Sequence, residues 1–418
     1  MSINERLRWL IWISLSELGT MLVFSNYSAL LPILQKEWSL TNSQAGWIYS
    51  SYQIGYILSV VFLTSLTDYT NPKYIYLFTA FWSGISGMLF SLWSEGFASA
   101  LVLRTLMGIG FAGTYMPGLR MVSEKFPSRE RGRAVGIYVG TFSLGVALSL
   151  FLTGFINSFL SWRWAFFITS LGPIGGGIIA LFQLGVITRG KTEGTMKVPL
   201  NEILRNRPAL VMIGAYVGHM WEMFGMRGWI VAFLTACFLT AQFDFPKAVS
   251  LSALMAGVVS LVGAISNALG GALSDRFGRA NTITLVMLGS GLISLLIGWT
   301  RAFPLWVVLI LSILYGFMVT GESSVLSTRV TELAHPGGLG RTMALQSLFG
   351  FGSASLSPIA FGYILDITNP PDALARFGYV PNWGWAFMLL GIGGLMGPLI
   401  ISRVKRESRA LKNYNTLS

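Results

Sequence analysis

Charge is the scarcest property of this chain: only 11% of its 418 residues are Asp, Glu, Lys or Arg, against about 25% in a soluble domain. So few charges cannot clothe a water-soluble surface, and lipid must cover most of the exterior. Cysteine is nearly absent too. Cys237 stands alone inside an apolar run, which excludes an intrachain disulfide and a cysteine-based metal framework. No nucleophile cluster, metal-ligand spacing or GxxxxGK phosphate loop occurs, so the pattern argues against an ATP-driven pump, an enzyme or a metal site.

What the chain does have is apolar length. Hydrophobic residues make up 53% of it, and its mean hydropathy is +0.63. Twelve apolar stretches run over 9–33, 43–66, 73–93, 97–120, 134–158, 163–187, 208–236, 248–272, 281–300, 304–326, 341–365 and 383–402. Each approaches or exceeds the roughly 20 residues a helix needs to cross a bilayer. Hydrocarbon cannot satisfy exposed backbone groups, so each stretch is expected to be a helix. The first is too long for a signal-peptide core and is expected to remain as an uncleaved span. The polar interruption 188–207 divides the chain into a six-helix bundle over 1–187 and a second over 208–418. The expected fold is thus an all-α integral membrane protein of 12 transmembrane helices.

The net charge of +12 has a location. With the N-terminus in the cytoplasm, 22 of the 29 basic residues fall on cytoplasmic segments and helix ends, as the positive-inside rule requires. The lipid bilayer therefore explains the charge and no nucleic-acid partner is implied. Both termini are expected in the cytoplasm, with the protein in the plasma membrane (the inner membrane of a bacterium).

The two halves repeat. Trp162-Arg163-Trp164-Ala165-Phe166 is matched by Trp383-Gly384-Trp385-Ala386-Phe387, and Gly132-Arg133 by Gly340-Arg341. Asp68 matches Asp275, and Glu17 matches Glu222. Internal repeats of this kind build many secondary transporters, with the solute site near the midplane.

Gly271-Ala-Leu-Ser-Asp275-Arg276-Phe-Gly278-Arg279 resembles the GxLaDrxGR loop motif of the major facilitator superfamily. Asp68 to Lys73 is a degenerate copy, and Arg104-Thr-Leu-Met-Gly108-Ile-Gly110 resembles the family's fourth-span RxxxGxG pattern. The resemblance covers nearly the whole chain. It implies two pseudo-symmetric six-helix bundles that alternate access to a central site. It also implies a cytoplasmic latch at Gly271, Asp275, Arg276, Gly278 and Arg279, with Asp68 and Lys73 as its first-half counterpart. A tight glycine turn would let helices approach there, and the Asp would meet an arginine or a helix N-terminus.

Charged groups inside spans are costly and face a cavity or a partner. Glu17, Arg104, Glu222, Arg227 and Glu322 are such groups. Gly108, Phe111 and Tyr115 share a face with Arg104, and Thr20, Phe24 and Tyr27 share one with Glu17. His219, three residues before Glu222, is placed to meet it. Burial disfavours a charged carboxylate and a neighbouring cation favours it, so these acids are candidate proton carriers or packing hydrogen bonds. Arg227 lies beside Trp and Met, about 140° around the helix from Glu222, and suits an anion with an apolar body. Glu322 is its candidate counter-charge or a second proton site. Gln53 and Gln346 are candidate polar contacts or packing glue, and His335 a solvated loop residue.

The expected function is a secondary transporter importing a small organic anion, a carboxylate, with a proton. It would need a proton or ion gradient and no cofactor, and would act as a monomer on a small-molecule substrate. Proton-driven efflux of drugs or metabolites is the alternative, disfavoured because span 134–158 lacks the family's Gly-Pro antiporter motif. A receptor or scaffold without transport is a third possibility, but the soluble segments are short.

Overall fold

The computed structural model describes residues 3–184, 199–335 and 337–415. Most of the predicted central loop lies outside the described residues. Sixteen α-helices form among the described residues, and no strand. They are α1 Ile3–Thr20, α2 Asn26–Glu37, α3 Asn42–Leu66, α4 Pro72–Trp93, α5 Phe97–Lys125, α6 Ser128–Asn157, α7 Trp162–Gln183 and α8 Leu200–Arg205. Then follow α9 Arg207–Thr240, α10 Phe245–Phe277, α11 Arg279–Ile297, α12 Leu305–Gly321, α13 Ser323–Leu333, α14 Leu339–Thr368, α15 Ala373–Phe377 and α16 Gly384–Asn415.

Among the described residues, 11 helical segments are long and apolar enough to cross a membrane. The stretch predicted at 43–66 is also a helix, α3, but Ser, Tyr and Gln dilute its apolar content. Large side chains such as Leu58, Phe62, Phe182, Leu285 and Trp306 are exposed. So much apolar surface is unsustainable in water and marks contact with lipid.

Two stretches read as single spans are broken. In the first, α1 ends at Thr20, a 3-10 turn covers Met21–Val23, and α2 starts at Asn26. Glu17, Thr20, Ser25 and Asn26 are all buried around the break, where short polar side chains compete for backbone hydrogen bonds. The second break falls at Glu322, between α12 and α13. There α10 supplies polar support. Ser266 donates to the Phe317 carbonyl, and Ser324 N donates to Asn267 Oδ1 at 3.0 Å.

The described chain divides into two compact units. One comprises 1–192, 227–261 and 358–381, the other 193–226, 262–357 and 382–418. In the first, α5 packs tightly on α3 and α4. A Cβ at Gly108 would strike the Tyr52 carbonyl, and one at Gly55 the Thr105 carbonyl, so α3 and α5 meet backbone to backbone. In the second, α11 lies against α16, where Gly291 meets Leu395.

Candidate functional site

In the first unit the chemistry gathers at the α1–α2 break. Arg104 on α5 is fully buried. Its Nη1 donates to the Val23 carbonyl and to Asn26 Oδ1, both at 3.2 Å, and its Nη2 reaches the Phe24 carbonyl at 3.4 Å. A broken helix leaves carbonyls without intrahelical partners, and the guanidinium collects them. Its central carbon lies 4.6 Å from the Tyr52 ring centre and 5.6 Å from that of Tyr27. Among the described residues no carboxylate forms an ion pair with Arg104. The cation is held by dipoles and rings alone.

From Arg104 a continuous array of rings leads towards Glu17. Tyr52 stacks on Phe111 with centroids 5.7 Å apart, Phe111 on Tyr115 at 5.7 Å, and Tyr115 on Tyr138 at 6.3 Å. Arg104, Phe111 and Tyr115 thus share a face of α5, as their spacing predicts. Tyr138 then donates to Glu17 Oε2 at 2.7 Å, with Thr20 donating to the same oxygen at 3.3 Å. Glu17 Oε1 is buried without a hydrogen bond. The Tyr27 hydroxyl turns away and donates to the Ala45 carbonyl at 3.1 Å. Gln53 folds back on its own helix, its side-chain amide 2.6 Å from the Tyr49 carbonyl. Arg227 neighbours Tyr49, whose ring packs on Gly228.

The second unit holds a buried trio. His219 does not turn its Nδ1 along its own helix to Glu222, as the sequence spacing predicts. That atom lies 2.7 Å from Glu322 Oε1, and both side chains are fully buried. The break at Glu322 supplies the reason, because it presents this carboxyl at the joint of α12 and α13. Glu322 is therefore the partner of His219. Glu222 Oε2 accepts from Ser290 of α11 at 3.0 Å, and Gly394 leaves room for it, since a Cβ there would strike the same oxygen. Glu222 Oε1 and Glu322 Oε2 are buried without hydrogen bonds. Gln346 donates to Ser327 Oγ at 3.2 Å, with its own oxygen unsatisfied.

The loop motifs form two local ion networks with reversed roles. Asp68, after α3, meets Arg120 of α5 at 2.6 Å, and Arg120 also binds Glu124 at 2.7 Å. In the other unit it is the loop arginine that reaches a span: Arg279 meets Asp275 at 2.7 Å and Glu332 of α13 at 3.1 Å. Gly278, at φ +85, makes the one-residue turn, a conformation that most side chains would strain. Gly271 faces open space; the close approach falls one residue earlier, where a Cβ on Gly270 would strike the Gly321 carbonyl. Arg276 lies over the Phe277 ring, 5.5 Å from its centre. Lys73 does not mirror that network. Its ammonium donates to the Leu181 carbonyl at 3.0 Å, near the C-terminus of α7, where a cation complements the helix dipole.

A family model described as the Major Facilitator Superfamily matches residues 13–358 and 223–416. The chain belongs to that superfamily. A probable sulfoacetate transporter of Cupriavidus necator is 25% identical over 374 residues, covering 83% of this chain and 84% of the relative. A probable 4-methylmuconolactone transporter of Cupriavidus pinatubonensis is 23% identical over 379 residues, covering 88% and 85%. A crystal structure of a bacterial homolog to the human lysosomal transporter Spinster, inward-facing and occupied, superposes with a TM-score of 0.79 at 15% identity. It covers 97% of this chain and 98% of that one, and shows a shared fold. This superfamily member is therefore a multi-pass membrane protein that transports a small molecule, and is no enzyme. Asn26, Tyr52, Tyr138 and Ser290 are site residues that its sequence did not single out. Only the polar cluster at 25–28 signalled one of them.

Proposed function

We propose that the protein is a secondary active transporter that takes up a small organic anion, a carboxylate, together with a proton. It works by alternating access, as a monomer of twelve spans with α3 among them. Both termini face the cytoplasm, the membrane is the plasma membrane, and an ion gradient supplies the energy. The observation that carries the proposal is Arg104: a fully buried guanidinium without a carboxylate partner, facing only carbonyls, an amide oxygen and rings. Guanidinium binds carboxylate in a two-pronged geometry that carbonyl contacts of 3.2–3.4 Å do not match. The ring array beside it offers an apolar wall to the body of such an anion. A relative named for sulfoacetate, itself an anion, agrees with this chemistry. Glu17, Glu222 and Glu322 are the acids assigned to carry the proton, and Arg227 is assigned to the anion with Arg104.

Labelled carboxylates offered to proteoliposomes with an inward proton gradient test the proposal. Uptake that rises with the gradient and disappears on Arg104→Ala supports it. Carboxylate binding that survives Arg104→Ala and Arg227→Ala together would sink the anion assignment. Net export under the same gradient would replace uptake by efflux.

A further inference from the structure

Asp366 lies in the last turn of α14, where a negative charge opposes the dipole of its own helix. Its partner explains the placement. Oδ1 accepts from Asn42 N at 2.9 Å and Asn42 Nδ2 at 2.8 Å, and Oδ2 accepts from Ser43 N at 2.8 Å and Ser43 Oγ at 2.5 Å. Asn42 and Ser43 begin α3, and Thr41 and Gln44 close a capping box on the next free amide. One carboxylate from a helix 324 positions away thus neutralises the positive end of α3 with four hydrogen bonds.

The contact ends a seam. Pro358, Gly362 and Asp366 recur every four residues along one face of α14. A Cβ on Gly46 would strike the Pro358 carbonyl, and one on Gly362 the Asn42 carbonyl. The two backbones touch, with Trp229 Nε1 donating to the same Pro358 carbonyl at 3.0 Å. Asp366 is only partly buried. A cavity of about 570 Å³, lined by Gln35, Lys36, Asn42, Leu365, Asp366 and Pro370, opens beside it. Water reaching that cavity can take over the four hydrogen bonds, so the clasp is releasable in a way a deep ion pair is not.

Resting on the alternating-access proposal above, we propose that Asp366 is a positioning residue for transport. Its grip on the N-terminus of α3 holds this end of the α3–α14 seam shut, and letting go opens it. The test uses the full chain with Cys237→Ala and a reporter Ala45→Cys, buried next to Gly46 in the seam. Labelling by a membrane-impermeant maleimide is followed in vesicles without substrate. Asp366→Asn is expected to raise the labelling rate about tenfold, the equivalent of about 1.4 kcal/mol. Asp366→Glu is expected to restore most of the protection. Should Asp366→Asn fail to purify as a monodisperse protein, Asn42→Ala with Ser43→Ala removes only the two side-chain donors and should raise the rate severalfold. Unchanged labelling in whichever of these is measured overturns the proposal and leaves Asp366 a helix cap. Because no substrate is added, the result stands apart from whether the cargo is a carboxylate.

Discussion

Arg104 and Asn26 meet at 3.2 Å at the point where the first apolar stretch leaves the α-helix. The arginine thus satisfies backbone that the break exposes, and it does so without an acid. Replacing it removes a charge and takes a hydrogen bond from each of the Val23 and Phe24 carbonyls. Arg104→Ala is expected to lower melting temperature and abolish uptake, with a cost of about 1–3 kcal/mol for each carbonyl left buried and unsatisfied. Arg104→Lys keeps the charge but lacks the fork. It should retain folding, measured by fluorescence-detected size exclusion, while losing at least about tenfold in substrate affinity, equivalent to about 1.4 kcal/mol.

His219 and Glu322 form a pair shielded from solvent on both sides. Removing one partner of a buried pair costs about 3–5 kcal/mol when the other is left charged. His219→Ala should therefore destabilise strongly, and His219→Ala with Glu322→Gln should recover part of the loss. A thermal-melt double-mutant cycle measures the coupling; additive effects would show that the contact contributes nothing.

Glu322→Gln preserves shape and hydrogen bonding while removing the titratable group. If Glu322 carries the proton, this variant exchanges substrate across the membrane at equal pH yet fails to concentrate it under a proton gradient. Glu17→Gln and Glu222→Gln, compared in the same assay, apportion the role. Full gradient-driven accumulation in all three variants would dismiss the acids as carriers.

Gly108 is packed on the Tyr52 carbonyl with no space for a methyl group. Gly108→Ala should force α3 and α5 apart and cost about 1–3 kcal/mol. Gly132→Ala, where a Cβ meets nothing within 4 Å, serves as the neutral control in the same melting experiment.

The exposed networks predict the reverse balance. Asp68–Arg120 and Asp275–Arg279 involve acids about two-thirds exposed, and such pairs contribute about 0–1 kcal/mol. Arg279→Ala should leave the melting temperature within about a degree or two yet change transport rate, if the networks act on the conformational equilibrium. A matching loss of stability would instead make them structural.

Hydropathy made the helices legible because lipid leaves the backbone no other option, and the loop motif with its matched halves pointed to the superfamily. The intramembrane charges stood out for the same reason: five ionisable groups among long apolar runs. What the pattern could not convey was where helices break. A periodic reading carries Glu17, Thr20, Phe24 and Tyr27 along one unbroken helix, whereas the α-helix gives way to a 3-10 turn at 21–23. Spacing within one helix pairs His219 with Glu222, whereas the observed partner, Glu322, stands at the joint of α12 and α13, 103 positions away. Asp366 was legible in retrospect as an acid at the wrong end of its helix.

The modest hydropathy of α3 bears on biogenesis. A segment so rich in hydroxyl and amide groups partitions poorly into a bilayer by itself, and the more apolar α4 follows after a short turn. The pair is expected to enter the bilayer together, as a helical hairpin, with the more apolar α4 carrying α3 in.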